Sequence, residues 1–93
     1  MKILVCCSSG LGSSFMIEMN IKKVLQELGV AGEVTHCDLS SAASHKSDIY
    51  VGTRDIAVQL EGLGGIVVSL NNMIDKVEMK KKLSEAIDKF NGK

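Results

Sequence analysis

The sequence predicts an α/β domain: a four-stranded parallel sheet flanked by helices in three layers, with a phosphate-binding loop after the first strand. Three observations predict it. Short apolar runs alternate with segments of helical periodicity, the pattern of parallel strands joined by right-handed crossovers. The first and last apolar runs are too continuous for strands with one wet face, so the sheet should be covered on both sides. Finally, Ile3-Leu4-Val5-Cys6 leads through Cys7-Ser8-Ser9-Gly10-Leu11-Gly12 into a helix that opens at Ser13 and Ser14.

The four strands are expected at residues 2–6, 33–37, 48–52 and 65–70. Ile17, Ile21, Val24, Leu25 and Leu28 recur at helical spacing between the first two, and Gly29 is a natural stop. A shorter helix after Thr53 carries Ile56, Ala57 and Leu60. The last helix draws a stripe of Met79, Leu83, Ala86, Ile87 and Phe90; Asp75 with Glu78 resembles a capping pair at its start, and Gly92 follows its end. Residues 39–47 are rich in Ser and Ala and carry no periodicity that assigns them one state. The whole arrangement is that of a Rossmann-like or phosphatase-like sandwich.

Composition narrows the function. With 93 residues, the chain is long enough for one domain, spanning 1–93, with a modest core. Aromatics are few (Phe15, Tyr50 and Phe90), so Ile, Val, Leu and Met must fill that core. Eleven basic residues balance eleven acidic ones, which argues against nucleic-acid binding, a task that needs a basic face. Lys80-Lys81-Lys82 is the one basic run and reads as a solvated helix face. No apolar stretch approaches the ~20 residues of a membrane span. The N-terminus reads as a strand rather than a signal peptide, so a cytoplasmic location is expected. Three cysteines, an odd number, fit reduced thiols better than a disulfide framework.

The chemistry concentrates in the loop. A small-residue loop ahead of a helix points backbone N–H groups at one spot, and the helix end adds partial positive charge. An anion suits that cup, and Cys7 stands at its lip. The same field favours a thiolate. Cys7 is therefore the candidate nucleophile, and Ser8, Ser9, Gly10, Leu11, Gly12, Ser13 and Ser14 are the candidate phosphate-binding residues. Ser13 and Ser14 are also ordinary N-cap candidates. Because ligands bind at the carboxyl ends of parallel strands, Cys7, Cys37, Thr53 and Ser69 should share one edge.

Rival loops fail on single residues. A nucleotide P-loop needs a Gly-Lys-Ser/Thr ending, and no lysine stands between Lys2 and Lys22. A dinucleotide fingerprint would need glycine where Phe15 stands. A cysteine phosphatase places an arginine beyond five residues after its cysteine. Here that position holds Ser13 counted from Cys7 and Gly12 counted from Cys6, and no arginine precedes Arg54. The planar guanidinium fork that stabilises a transferring phosphoryl group is thus missing. So is the acidic residue beside proline that low-molecular-weight phosphatases use, because the chain has no proline. What is left can accept a phosphoryl group and hold it.

With those parts in view, the run from Ile3 to Ser14 resembles the start of a cytoplasmic IIB component of a bacterial sugar phosphotransferase system (PTS). The likeness is greatest to the ascorbate-type branch, whose loop reads Cys, two small or polar residues, Gly, any residue, Gly, Ser, Ser. It extends to the cysteine closing the second strand, the Thr after the third, and the C-terminal helix. The resemblance implies that Cys7 takes phosphate from a phosphohistidine of the IIA partner and passes it to sugar held by the membrane-embedded IIC partner. No cofactor is implied, and membrane association would be transient, through IIC. Ser8-Ser9 stands where ascorbate-type loops often read Gly-Asn, and Cys6 makes a vicinal pair. Ascorbate-like substrates lead, ahead of galactitol-like and other alditol branches.

Other readings stay beside this one. A cysteine phosphatase or arsenate-reductase-like enzyme would share the fold. A thiol-based redox or metal sensor would need Cys7 and Cys37 to pair or to share a metal. Cys6 reads as a buried strand residue and Cys37 as inert packing. His36 and His45 with the cysteines match no standard zinc spacing, so no metal is expected. Arg54 and Asp55 read as an exposed charge pair, and Met16 and Met19 as core residues or as a patch beside the loop.

Overall fold

The computed structural model describes residues 1–7, 13–71 and 75–92. Among the described residues four strands and four helices alternate: β1 (Lys2–Cys7), α1 (Ser13–Leu28), β2 (Glu33–Asp38), α2 (Leu39–Ala42), β3 (Ile49–Thr53), α3 (Arg54–Leu60), β4 (Ile66–Leu70) and α4 (Lys76–Phe90). The strands form one sheet in the order β2-β1-β3-β4, and every pairing is parallel. The expected four-stranded parallel sheet with helical layers is what forms.

Strand alternation sorts the core into two clusters. On one face Ile3, Val5, Val34, Ile49, Val51, Val68 and Leu70 meet the apolar stripes of α1 and α4. On the other, Leu4, Cys6 and Tyr50 pack with Ala42 of α2 and Ile56 and Leu60 of α3. Ile3, Leu4, Val5 and Cys6 are all fully buried, as a central strand covered on both faces requires. Tyr50 carries its hydroxyl into the second cluster, where it accepts a hydrogen bond from the Ser47 N–H at 3.0 Å.

Element ends depart from expectation in instructive ways. β1 and β2 each run one residue further, to Cys7 and Asp38, because the two strands stay in register to their last pair. The third strand starts at Ile49 rather than Asp48, although Asp48 still donates its N–H to the Lys2 carbonyl and accepts from Ile66, both at 2.9 Å. The fourth strand lies at the sheet edge, so Ile66 and Val67 are only partly buried despite their apolar run. Within 39–47, the first four residues form α2, anchored by buried Ala42. Phe90, assigned to the α4 stripe, is exposed at the helix end.

Two glycines are required for different reasons. Gly29 ends α1 at φ +69°, with Gly29 N–H bonded to the Gln26 carbonyl and Val30 N–H to Leu25, the paired bonds of a Schellman turn. A Cβ there would meet nothing within 4 Å, so its requirement is purely one of backbone conformation. Gly65 instead lies against the Tyr50 ring, and a Cβ would come within 2.9 Å of the Ser47 carbonyl oxygen. Gly29→Ala should therefore cost about 1 kcal/mol, the penalty of a left-handed residue with a side chain. Gly65→Ala should cost about 1–3 kcal/mol through overpacking against a ring that cannot retreat. Urea unfolding midpoints of the two variants would show this order, and equal midpoints would contradict it.

Candidate active site

β1 ends at Cys7, at the carboxyl edge of the sheet, and α1 begins at Ser13. Cys7 pairs with Asp38 at the end of β2, one step beyond the Cys6–Cys37 pair. On the other side, Gly52 and Thr53 of β3 pair with Ser69 and Leu70 of β4. The edge predicted to gather Cys7, Cys37, Thr53 and Ser69 therefore does gather them at the level of the backbone. Ser13 and Ser14 open α1. Ser8, Ser9, Gly10, Leu11 and Gly12 lie outside the described residues.

The helix ends at this edge differ in charge. At α4, the Asp75 carboxylate caps the helix, accepting from Val77 and Glu78 N–H at 3.0 and 3.2 Å. Glu78 accepts from the Asn71 backbone N–H at 2.9 Å and its side-chain amide at 3.1 Å, tying the helix to the end of β4. The expected capping pair is thus present at Asp75, while Glu78 also clamps the preceding chain. α1 carries no acidic residue in its first turn, which leaves the positive end of its dipole uncompensated by its own side chains. Thr53 stands at the N-cap of α3 without a side-chain capping bond, and Arg54 and Asp55 after it are exposed.

The described thiols are packed. Cys6 is fully buried, and Cys37, its partner across the β1–β2 pairing, packs against the same cluster of Leu4, Tyr50 and Ile56. Neither forms a disulfide. Among the described residues no group of three or more His, Cys, Asp or Glu is arranged to hold a metal ion. No helix of the described residues is long and apolar enough to cross a membrane.

One polar contact near this edge escaped the sequence reading. Glu18 of α1 is a buried charged residue, 8% exposed, and its Oε2 lies 3.2 Å from His36 Nδ1 on β2. The signal was available: Glu18 falls in step with Ile21, Leu25 and Leu28, so it sits on the helix face turned to the sheet. A charge on an apolar stripe demands a partner. The lysine run also divides. Lys80 and Lys81 are exposed, Lys80 lying 3.9 Å from Glu27, but the Lys82 ammonium donates to the Ser69 carbonyl beside β4. Met16 and Met19 are exposed on the first turns of α1, and Val77 is exposed on that of α4.

The family model for "PTS system, Lactose/Cellobiose specific IIB subunit" matches residues 2–85. An ascorbate-specific PTS system EIIB component of Mycoplasma pneumoniae is 24% identical over 88 residues, covering 91% of this chain and 93% of that protein. The ascorbate-specific PTS system EIIB component of Salmonella typhimurium is 29% identical over 89 residues, 92% of this chain and 88% of that one. Among solved structures, the lactose-specific IIB component domain of Streptococcus pneumoniae superposes with a TM-score of 0.62 at 20% identity, covering 99% of this chain and 95% of that chain. A likeness at that identity speaks to the fold.

Packing sets an order of thiol reactivity. In the native protein, an alkylating reagent followed by peptide mapping should leave Cys6 unmodified until the sheet unfolds, with Cys37 labelled sooner. Cys6 labelled as fast as Cys37 under native conditions would contradict the packing.

Proposed function

The chain belongs to the PTS lactose/cellobiose-specific IIB family, and from that premise we propose that Cys7 is the residue on which it carries phosphate. In this reading residues 1–93 act as one IIB domain, receiving the phosphoryl group from a phosphohistidine of IIA. They deliver it to a sugar held by the membrane permease IIC, working at the cytoplasmic face. The observation that carries the reading is positional. The last residue of the central strand is a cysteine, and the helix that follows begins with no acid in its first turn.

Each transfer is an in-line displacement. The Cys7 thiolate attacks phosphorus, the S–P bond forms, the donor's N–P bond breaks, and the electron pair leaves with the imidazole. In the second step a sugar hydroxyl attacks, loses its proton, and the S–P electron pair returns to sulfur. Such reactions need positioning and neutralisation of charge on the three equatorial oxygens. Backbone N–H groups over Ser8, Ser9, Gly10, Leu11, Gly12, Ser13 and Ser14 would supply it together with the α1 dipole. Gly10 and Gly12 would let the backbone approach closely. The absence of an arginine before Arg54 favours holding phosphate over hydrolysing it.

The relatives named ascorbate-specific and the Cys-x-x-Gly-x-Gly-Ser-Ser loop support L-ascorbate or a similar sugar acid as the substrate. The family description and the structural neighbour carry lactose and cellobiose names, so those sugars are the comparison to make.

Incubation with phosphoenolpyruvate, the general phosphotransferase proteins and an ascorbate-type IIA should add one phosphate, mapped to Cys7 by intact-mass and peptide spectrometry. Cys7→Ser should abolish it, because a serine hydroxyl without an adjacent base is a poor nucleophile at neutral pH. Cys37→Ala should keep it. The adduct should be lost when permease and L-ascorbate are added and should persist with lactose or cellobiose. Steady release of phosphate from an aryl ester without an adduct would instead establish a phosphatase.

A further inference from the structure

A buried carboxylate beside a histidine stands two residues from the strand position that faces Cys7. His36 lies opposite Val5 in the sheet, and Asp38, two residues on, lies opposite Cys7. Strand spacing and rise place the Cα atoms of His36 and Cys7 on the order of 8 Å apart. Glu18 reaches His36 from α1, the helix whose N-terminus follows Cys7 in the chain. The Glu18 side chain is 11% exposed and that of His36 is 44% exposed, so the carboxylate is held in the protein while the imidazole reaches water.

The contact decides the tautomer. An ionised carboxylate only accepts, so His36 Nδ1 donates to Glu18 Oε2, and Nε2 is left to bind or release the second proton. With that proton the pair is neutral as a whole; without it, Glu18 keeps an uncompensated charge in the α1–β2 interface. Few other ionisable groups stand on the elements packed around the pair. On α1 the next are Lys22 and Lys23, both exposed, and then Glu27. β2 adds Asp38 and, at its far end, Glu33; β1 adds Cys6 on the opposite face and Lys2 at the opposite end. α2, a Leu-Ser-Ser-Ala helix, adds none.

We propose that Glu18 and His36 form a proton-accepting pair coupled to phosphorylation of Cys7, with His36 taking a proton onto Nε2 as Cys7 gains its phosphoryl group. The proposal rests on the carrier reading and adds to it the source of a positive charge that the arginine-less loop lacks. The proton comes from solvent, Glu18 stays ionised throughout, and the proton returns to solvent when the phosphoryl group moves on to sugar. His36 is a positioning residue here: it acts on the phosphorylated state through charge across the sheet, without touching the reacting atoms. By linkage, the phosphoryl dianion favours the imidazolium by the same factor by which the imidazolium favours phospho-Cys7. Two negative charges on a residue whose Cα lies roughly 8 Å from that of His36, acting through a partly aqueous path, make that factor about threefold or more.

His36 and His45 are the two histidines of the chain, and His45 bonds the Ser41 carbonyl at the other end of the sheet, which gives an internal control. Long-range proton–nitrogen spectra at fixed neutral pH should show His36 shifting toward imidazolium on phosphorylation by phospho-IIA while His45 stays unchanged. The extent of phosphorylation by that donor, measured from pH 6 to pH 8 and divided by that of His36→Gln, should fall about threefold. Glu18→Gln, which preserves size and a hydrogen bond, should flatten the dependence as well, whereas His45→Gln should reproduce the wild-type curve. A Cys7 adduct that forms with His36 unmoved and all four curves parallel would overturn the coupling and leave the carrier intact. No Cys7 adduct in the wild type would overturn both.

Discussion

Everything at the candidate site depends on how β1 is held. It pairs with β2 on one side and β3 on the other, and from Ile3 to Cys6 it is closed off on both faces. A strand with no exposed face and no unpaired edge has few ways to shift, so the position of its last residue is determined by the whole sheet. Neighbouring chain is packed closely against the same end. A Cβ on Gly52 of β3 would lie 2.8 Å from Ile56 Cγ2 and 3.5 Å from the Cys6 carbonyl, so α3 is seated against β3, the strand beside β1, with no room for a methyl group. The cysteine at the strand end thus follows directly on a run, Ile3 to Cys6, that is buried on both faces.

In the proposed carrier, that constraint leaves little for other machinery to do. Phosphoryl transfer asks mainly for fixed geometry and for donors aimed at charge that is spread over three oxygens. A loop of backbone amides ahead of a helix meets both demands without a charged side chain, and it binds phosphate less tightly than a bidentate guanidinium would. A carrier has to give its cargo away, so a site short of positive charge suits carriage better than hydrolysis. The exposed Met16, Met19 and Val77 on the first turns of α1 and α4 suit transient contact, since methionine adapts to more than one partner surface.

Periodicity made the sheet legible because each strand's alternation is dictated by which face it buries. Ile3, Val5 and Val51 could face only one cluster, and Leu4, Cys6 and Tyr50 only the other. Cys6 was readable as packing for the same reason. What periodicity does not encode is a strand's place in the sheet. The Ile66-Val67-Val68 run looks as enclosed as β1, yet β4 is an edge strand, because order depends on crossovers between distant segments. Residues 39–42 became helical through the burial of Ala42 rather than through any pattern of their own. Glu18 was missed although its spacing from Ile21 and Leu25 placed it on the apolar face; its partner, His36, lies on another element and nothing local announces it. Lys82 was likewise assigned to solvent with its neighbours, while the sheet supplied a carbonyl for it at Ser69.

The distribution of acids along the two long helices follows from the same edge. α4 has Asp75 at its cap and Glu78 in its first turn, and both are engaged with backbone or amide N–H groups that would otherwise attract an anion. Its N-terminus is electrostatically closed. α1 begins with Ser13 and Ser14, and its first acid, Glu18, comes beyond the first turn, buried against His36. A carboxylate at the start of α1 would stabilise the isolated helix by about 0.3–1 kcal/mol. In the proposed carrier it would also repel a phosphoryl group held on Cys7. Forgoing that small stabilisation at α1 while taking it at α4 accords with the proposed roles, a structural helix end at α4 and one left open to an anion at α1.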